Sequence, residues 1–406
     1  MSVIALATVT ALLGCGSEGA EPSPPRPTPS GAATGTPAPS PGPTATQSPK
    51  PVLFAAGCGA ATDTGCGCAR DLLYCDRGVL ARSDDLGETW SRTIFETGLG
   101  SADFPSPSNG WAVGKAGFVV RTTDGGRTWV RKVDGIQVPD AATARGLIAF
   151  NTVRFVDEIR GIIAGWGLTD EAIGSFGGMP LYRPELFVLA TDDGGETWNP
   201  ASIVGGSSGS NDWRDSTAYA STACFAGDGL GVIAGRPSLL TRDGGRSWVN
   251  IADRIAMDPA WGAACGDDGT LWLSDSTRVL RSDDRGETWT QLAGDLLLPN
   301  CCAAWLDFPD DERGWRAGEE LLRTTDGGRT WSGVDAAIPD GFGTGVVRFA
   351  TPEDGLWTST GVGGVTHDAG ASWRLVTIVP FRDGDGIFTF ADVAVAGGNR
   401  AGALDP

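Results

Sequence analysis

Residues 110–129 read GWAVGKAGFVVRTTDGGRTW, and the end of that stretch decides the fold. Its last eight residues, Thr122 to Trp129, fit the pattern Ser/Thr-x-Asp-x-Gly-x-Thr/Ser-Trp, which recurs six more times along the chain. The other copies are SDDLGETW ending at Trp90, TDDGGETW at Trp198, TRDGGRSW at Trp248, SDDRGETW at Trp289, TTDGGRTW at Trp331 and THDAGASW at Trp373. One Asp-Gly turn carries little weight, whereas seven matches without a mismatch mark an internal repeat. The aspartates Asp85, Asp124, Asp193, Asp243, Asp284, Asp326 and Asp368 stand 39, 69, 50, 41, 42 and 42 residues apart. A step of about 40 to 45 residues suits one propeller blade of four short strands. The 69-residue step is too short for two blades and is read as one blade carrying insertions.

Each motif follows two apolar runs split by a tight turn, as in Gly110 to Thr122 and Gly314 to Thr324, which read as a hairpin. The motif then makes a second turn. Its Asp can bond backbone N–H groups of the same loop, its Gly allows a positive φ, and its Trp opens the next strand as a large apolar anchor. The 61 glycines and 15 tryptophans, with no sustained 3.6-residue periodicity, agree with many short strands. A chain of 406 residues could hold two or three domains, but one propeller fills this length.

The motif resembles the Asp-box, or bacterial neuraminidase repeat, which forms the turn between the third and fourth strands of a propeller blade. The longer pattern, Gly-Trp-Ala-Val-Gly, an apolar strand, then Arg-Thr-Thr-Asp-Gly-Gly-Arg-Thr-Trp, is similar to the photosystem II stability/assembly factor-like family of seven-bladed propellers. The resemblance covers roughly residues 52–406 and implies an all-β, seven-bladed propeller with an Asp-box in each blade. It also implies that the box Asp and Trp residues hold their turns and do not touch substrate. Ile387 to Leu404 reads as the first two strands of another repeat, expected to complete blade one and leave no open edge, with an eighth blade as the alternative. His367, the single histidine, occupies a variable box position and reads as a surface turn residue.

The N-terminal residues belong to another physical class. Val3 to Leu13 is an apolar run too short to span a bilayer and reads as the core of a signal peptide, although no Lys or Arg precedes it. Leu12-Leu13-Gly14-Cys15 fits the bacterial lipobox, which makes residues 1–14 a lipoprotein signal peptide and Cys15 the lipidation site. Residues 15–51 are then a Pro/Ser/Thr-rich tether that cannot bury a core, and residues 52–406 the propeller. Gly16 after the cysteine resembles the sorting pattern that permits transfer to the outer membrane, so the expected location is extracytoplasmic, at the outer membrane or cell surface.

Eight cysteines remain, Cys58, Cys66, Cys68, Cys75, Cys224, Cys265, Cys301 and Cys302, and an even number in an exported chain favours disulfides. No Cys-x-x-Cys pair and one histidine leave no zinc or haem signature, so no metal and no cofactor are expected. Cys224 and Cys265 each lie 19 residues before their own box Asp, which places them at comparable depth on inner strands of adjacent blades. Cys58 to Cys75 are expected to staple the first blade, and the neighbours Cys301 and Cys302 to serve different partners.

A net charge of −19 disfavours nucleic acid and anionic membrane surfaces as targets. No phosphate loop, nucleophile elbow or metalloprotease motif is present. Asp-box propellers include sialidases, which resemblance would equip with a Tyr nucleophile and three arginines. This chain has three tyrosines, Tyr74, Tyr182 and Tyr219, and lacks the Arg-Ile-Pro signature. Xyloglucanase-type hydrolases use two propellers. Asp212 and Asp215 could pair for acid/base work, but NDWRDS also reads as a solvated loop.

The favoured function is therefore a non-catalytic, lipid-anchored scaffold, assembly factor or binding module of the cell envelope. A protein or glycan partner, membrane contact through the lipid alone and a monomeric state are expected, with a glycan-binding protein or sialidase-like glycoside hydrolase as the alternative. Strands in a blade alternate direction, so the boxes mark one face and the loops after strands two and four the other. Insertions at Asp134 to Gly146, Gly167 to Pro184 and Gly205 to Tyr219 fall on that second face. Tyr182, Arg183, Trp213, Arg214 and Tyr219 are the candidate contact residues, because aromatic and Arg side chains suit binding hot spots on loops held by a rigid scaffold.

Overall fold

Seven four-stranded antiparallel sheets follow one another around a closed ring. The computed structural model describes residues 50–60, 77–140, 147–176, 179–205, 218–257, 259–292, 305–318, 320–336, 338, 345–379 and 387–397. All of these lie in the unit Pro49–Pro406.

Blade 2 shows the pattern, running from the axis outward as Leu99–Asp103, Gly110–Gly114, Phe118–Thr122 and Val130–Arg131. Its box, Thr122 to Trp129, turns the third strand into the fourth, and the other six boxes occupy the same place. The innermost strands lie beside one another around the axis. Val346–Phe349 of blade 7 meets Ile387–Ala396, the innermost strand of blade 1, so seven blades close the ring.

That closure joins the two ends of the propeller. Ile387–Ala396 pairs antiparallel with Val52–Ala60, from Val52 opposite Ala396 to Ala60 opposite Ile387. The sheet order in blade 1 therefore begins with the last strand of the chain, and no edge strand is left open at the seam. Among the described residues the C-terminal segment contributes this one strand to blade 1.

Between blades the packing is aromatic and repetitive. A second-strand aromatic of one blade stacks on the Phe that ends the inner-strand segment of the next. Phe54 lies on Phe104 at 3.9 Å, Trp272 on Phe308 at 4.1 Å and Trp315 on Phe349 at 3.9 Å. The box Trp of that next blade then meets the same Phe edge-on, as Trp129 meets Phe104, Trp331 meets Phe308 and Trp373 meets Phe349. Trp111, Trp272, Trp315 and Trp357, all on second strands, are fully buried. Most box tryptophans are only half-buried. Trp198 is the fully enclosed one, and Trp373 is nearly so.

The 69-residue step is accounted for by blade 3, whose second and third strands, Gly161–Phe176 and Met179–Thr191, run well past the sheet as a two-stranded ribbon. The expected loop from Gly167 to Pro184 is thus strand on both sides of residues 177 and 178. Pro180 and Pro184 lie within it, and a proline cannot donate to a ladder, which is why the sequence there argues against strand. A short helix, Ala252–Ile255, interrupts the all-β pattern between blades 4 and 5.

Candidate functional site

Each box closes on itself. In box 2 the Thr122 hydroxyl donates to Asp124 Oδ1 (2.8 Å) and accepts the Gly126 N–H (2.9 Å). Asp124 accepts the Thr128 N–H (2.9 Å) and hydroxyl (2.6 Å). Equivalent bonds are made by Asp85, Asp193, Asp243, Asp284, Asp326 and Asp368. These donors hold the carboxyls of Asp284 and Asp368 down at about 2, the hydroxyls of Thr288 and Ser372 contributing most. The Nε1 atoms of Trp90, Trp129, Trp248 and Trp331 donate to the carbonyl of their own box glycine. At the fifth box position only glycine fits. Gly195 has φ +86°, and a Cβ there would lie 2.3 Å from the Trp111 ring of the preceding blade. Box carboxylates committed in this way have a turn to hold and a neighbouring blade to meet.

On the box face ion pairs join several neighbouring blades, with Glu196 of box 3 bound to Arg121 and to Lys132 (3.1 Å) of blade 2. Glu88 of box 1 meets Arg374 of blade 7 at 2.5 Å. His367 stands at this same seam, exposed, with Nδ1 2.8 Å from Asp354 Oδ1 and Nε2 3.4 Å from Glu88 Oε1.

Three of the candidate contact residues are described, Tyr182, Arg183 and Tyr219, and they lie away from the boxes. Tyr182 and Arg183 stand on the blade 3 ribbon, where Arg183 Nη2 pairs with Glu171 Oε1 at 2.8 Å and the Arg183 carbonyl accepts the Thr169 hydroxyl at 3.2 Å. Tyr219 opens the inner strand of blade 4 and stacks on Trp261 of blade 5, centroids 5.5 Å apart at 24°. The Ser221 hydroxyl donates to the Trp261 carbonyl at 2.6 Å, fixing that pair from below. Trp213, Arg214, Asp212 and Asp215 lie outside the described residues, as do Cys15, Cys66, Cys68, Cys75, Cys301 and Cys302. Cys224 and Cys265, on the inner strands of blades 4 and 5, form a disulfide with Cα atoms 5.7 Å apart. Cys58 is also disulfide-bonded.

Two buried arginines carry no motif that a sequence reading could have used. Arg154 on the inner strand of blade 3 pairs with Asp392 on that of blade 1. Arg316, fully buried between blades 5 and 6, gives Nη2 to the carbonyls of Asp275 and Ser276, and burial lowers its pKa to about 10. No group of three or more potential metal ligands gathers among the described residues.

Over 244 residues the chain is 27% identical to the photosystem II assembly lipoprotein Ycf48 of Synechococcus sp. (strain CC9902), a match that covers 48% of this chain and 70% of that protein. With seven blades and this repeat, the likeness is plain. The chain resembles the photosystem II assembly factor-like propellers. Among solved structures, YCF48 bound to D1 peptide is 17% identical with a TM-score of 0.46, covering 73% of this chain and 89% of that one. YCF48 from Cyanidioschyzon merolae is 18% identical with a TM-score of 0.46, covering 73% and 94%. No family model matches the chain.

Proposed function

We propose that this chain is a non-catalytic, lipid-anchored propeller of the cell envelope, acting as an assembly factor or binding module for a membrane-protein partner. The observation that carries this reading is its similarity to an assembly lipoprotein across nearly half its length. Two features of the chain support it. The lipobox ending at Cys15 and the Pro-rich tether after it suit a head held near a membrane. The box carboxylates are each tied to their own turn, which suits a structural part for them.

The contact surface of this reading is the face opposite the boxes, with Tyr182, Arg183, Trp213, Arg214 and Tyr219 engaging the partner. The photosystem itself is not part of the proposal, since the similarity is 27% identity over 48% of this chain. A glycan partner is the second reading, favoured by the stacked Tyr219 and Trp261 rings on the same face.

The test is crosslinking and affinity capture of the protein from its native envelope, beside a Cys15→Ala variant and a glycan array probed with the soluble head. Recovery of a membrane protein with the wild type, and release of the variant into the soluble extracytoplasmic fraction, are expected. Unlipidated wild-type protein in the cytosol with its apolar N-terminus intact would overturn the export reading, and array binding without a protein partner would favour the glycan.

A further inference from the structure

One seam of the propeller is built differently from the others. Where a fourth strand passes to the next blade, the connectors are residues 132–147, 206–218, 251–261, 292–304, 334–345 and 378–386. Each sends apolar side chains into its seam: Ile136 and Val138 between blades 2 and 3, Ala218 between 3 and 4, and Ile251 and Ile255 between 4 and 5. Leu292 does so between blades 5 and 6, Val334 and Ala336 between 6 and 7, and Ile378 and Val379 between 7 and 1. From blade 1 to blade 2 the connector is three residues, Glu96, Thr97 and Gly98. It is pulled tight against blade 2, with the Lys115 N–H on the Gly98 carbonyl at 3.1 Å, and has no apolar side chain to give.

A groove of about 410 Å³ remains at that seam, on the face opposite the boxes. Its floor is Ile94, Phe95 and Phe118, the two rings edge-on at 5.8 Å, and Ile94 is 43% exposed. Glu96, Lys115 and Arg131 stand at its rim. The Arg131 guanidinium lies over the Phe118 ring at 5.1 Å and makes no ion pair among the described residues. Four other outward arginines of this acidic chain find carboxylates, Arg242 on Glu287, Arg246 on Asp192, Arg285 on Asp228 and Arg374 on Glu88, whereas the exposed Arg127 and Arg329 fold back onto the carbonyls of Asp124 and Asp326.

We propose that this groove binds an extended peptide segment of a partner protein. An apolar side chain of the peptide takes the place that the longer connectors fill at the other seams, and a carboxylate two residues on meets Arg131. Residues i and i+2 of an extended chain project to the same side, so one short segment supplies both groups. Affinity comes from covering the exposed floor, and the exposed ion pair adds preference. The inference rests on the protein-partner reading but on none of the residues of blades 3 and 4.

The test is methyl NMR of the whole chain titrated at millimolar concentration with N-acetyl-Leu-Ala-Asp-amide, its Lys analogue and its Gly-Ala-Asp analogue. The first peptide is expected to shift the Ile94 and Ala116 methyls. The Gly analogue should bind at least about tenfold more weakly, from loss of a buried side chain, and the Lys analogue about two- to fivefold more weakly. In Arg131→Gln, which sits on an exposed outer strand, the preference of Asp over Lys should vanish while the melting temperature holds. No shift at Ile94 or Ala116 with any peptide, or an Asp preference that survives Arg131→Gln, would overturn the proposal. Because the signal is read at the groove, this can fail while capture from the envelope succeeds, and the reverse.

Discussion

Arg154 and Asp392, 238 positions apart in sequence, meet on the propeller axis through two hydrogen bonds of 2.8 and 2.9 Å. The same Asp392 carboxylate accepts the Ser101 hydroxyl at 2.6 Å, and Arg154 Nε reaches the Ala223 carbonyl at 3.2 Å. Four inner strands, those of blades 1 to 4, are tied together by this one buried pair, and one of them is the closing strand. Burial works against the Arg154 charge, and the Asp392 carboxylate outweighs it, so the guanidinium's pKa is raised. Asp392→Ala should therefore cost about 3–5 kcal/mol in denaturant unfolding, because a buried cation loses its partner. Arg154→Met combined with Asp392→Leu should recover most of that loss. If the double variant is as unstable as the single one, the cost is not that of an unpaired charge.

The fully buried second-strand tryptophans should matter more than the half-buried box tryptophans. Trp111→Ala is expected to destabilise by about 3–5 kcal/mol, and Trp129→Ala by roughly half as much, in keeping with its smaller buried area. Equal losses in parallel urea titrations would place the main anchor at the box instead.

Acid should loosen the turns in a defined window. Asp284 and Asp368 titrate near 2 in the folded chain, below the ordinary aspartate value of about 3.9 in the unfolded one. Their contribution is complete above about pH 4 and disappears as pH falls through about 2. The urea midpoint of the wild type should fall across that interval, and Asp284→Asn should start lower and fall less steeply. Identical slopes for the two proteins would show that the box carboxylate does not carry the effect.

The Cys224–Cys265 bridge spans 41 positions of chain and joins the inner strands of blades 4 and 5. Replacing both residues by serine should lower stability by about 2–4 kcal/mol, chiefly by freeing the unfolded chain. An unchanged urea midpoint under oxidising conditions would argue against the bridge.

Blade number was legible in the sequence because every bond that defines a box falls within its eight residues. The hydroxyl of Thr122, the carboxylate of Asp124 and the amide of Thr128 need no distant partner. The ring closure could be inferred only from repeat order, since Val52 and Ala396 meet across the whole propeller. Arg154 and Asp392 left no signal at all: each sits singly in an inner strand whose neighbours are apolar, and their pairing depends on the ring being closed. The difference in burial between Trp111 and the box Trp129 left no signal for a related reason. Second strands are covered on both faces by neighbouring blades, so GWAV around Trp111 carries no alternation to separate it from the box Trp129. The blade 3 ribbon was hidden by the two prolines that its edge positions tolerate.

The central claim, that the face opposite the boxes engages a protein partner, is tested most directly by quantitative crosslinked capture from the native envelope with matched variants of the two faces. Trp213→Ala with Arg214→Ala, and Tyr182→Ala with Arg183→Ala, should each reduce partner recovery several-fold while melting temperature and membrane attachment stay at wild-type values. Arg127→Ala with Arg329→Ala, exposed changes in two boxes, should leave recovery unchanged. Full recovery with both of the first pairs and loss with the last would contradict the account.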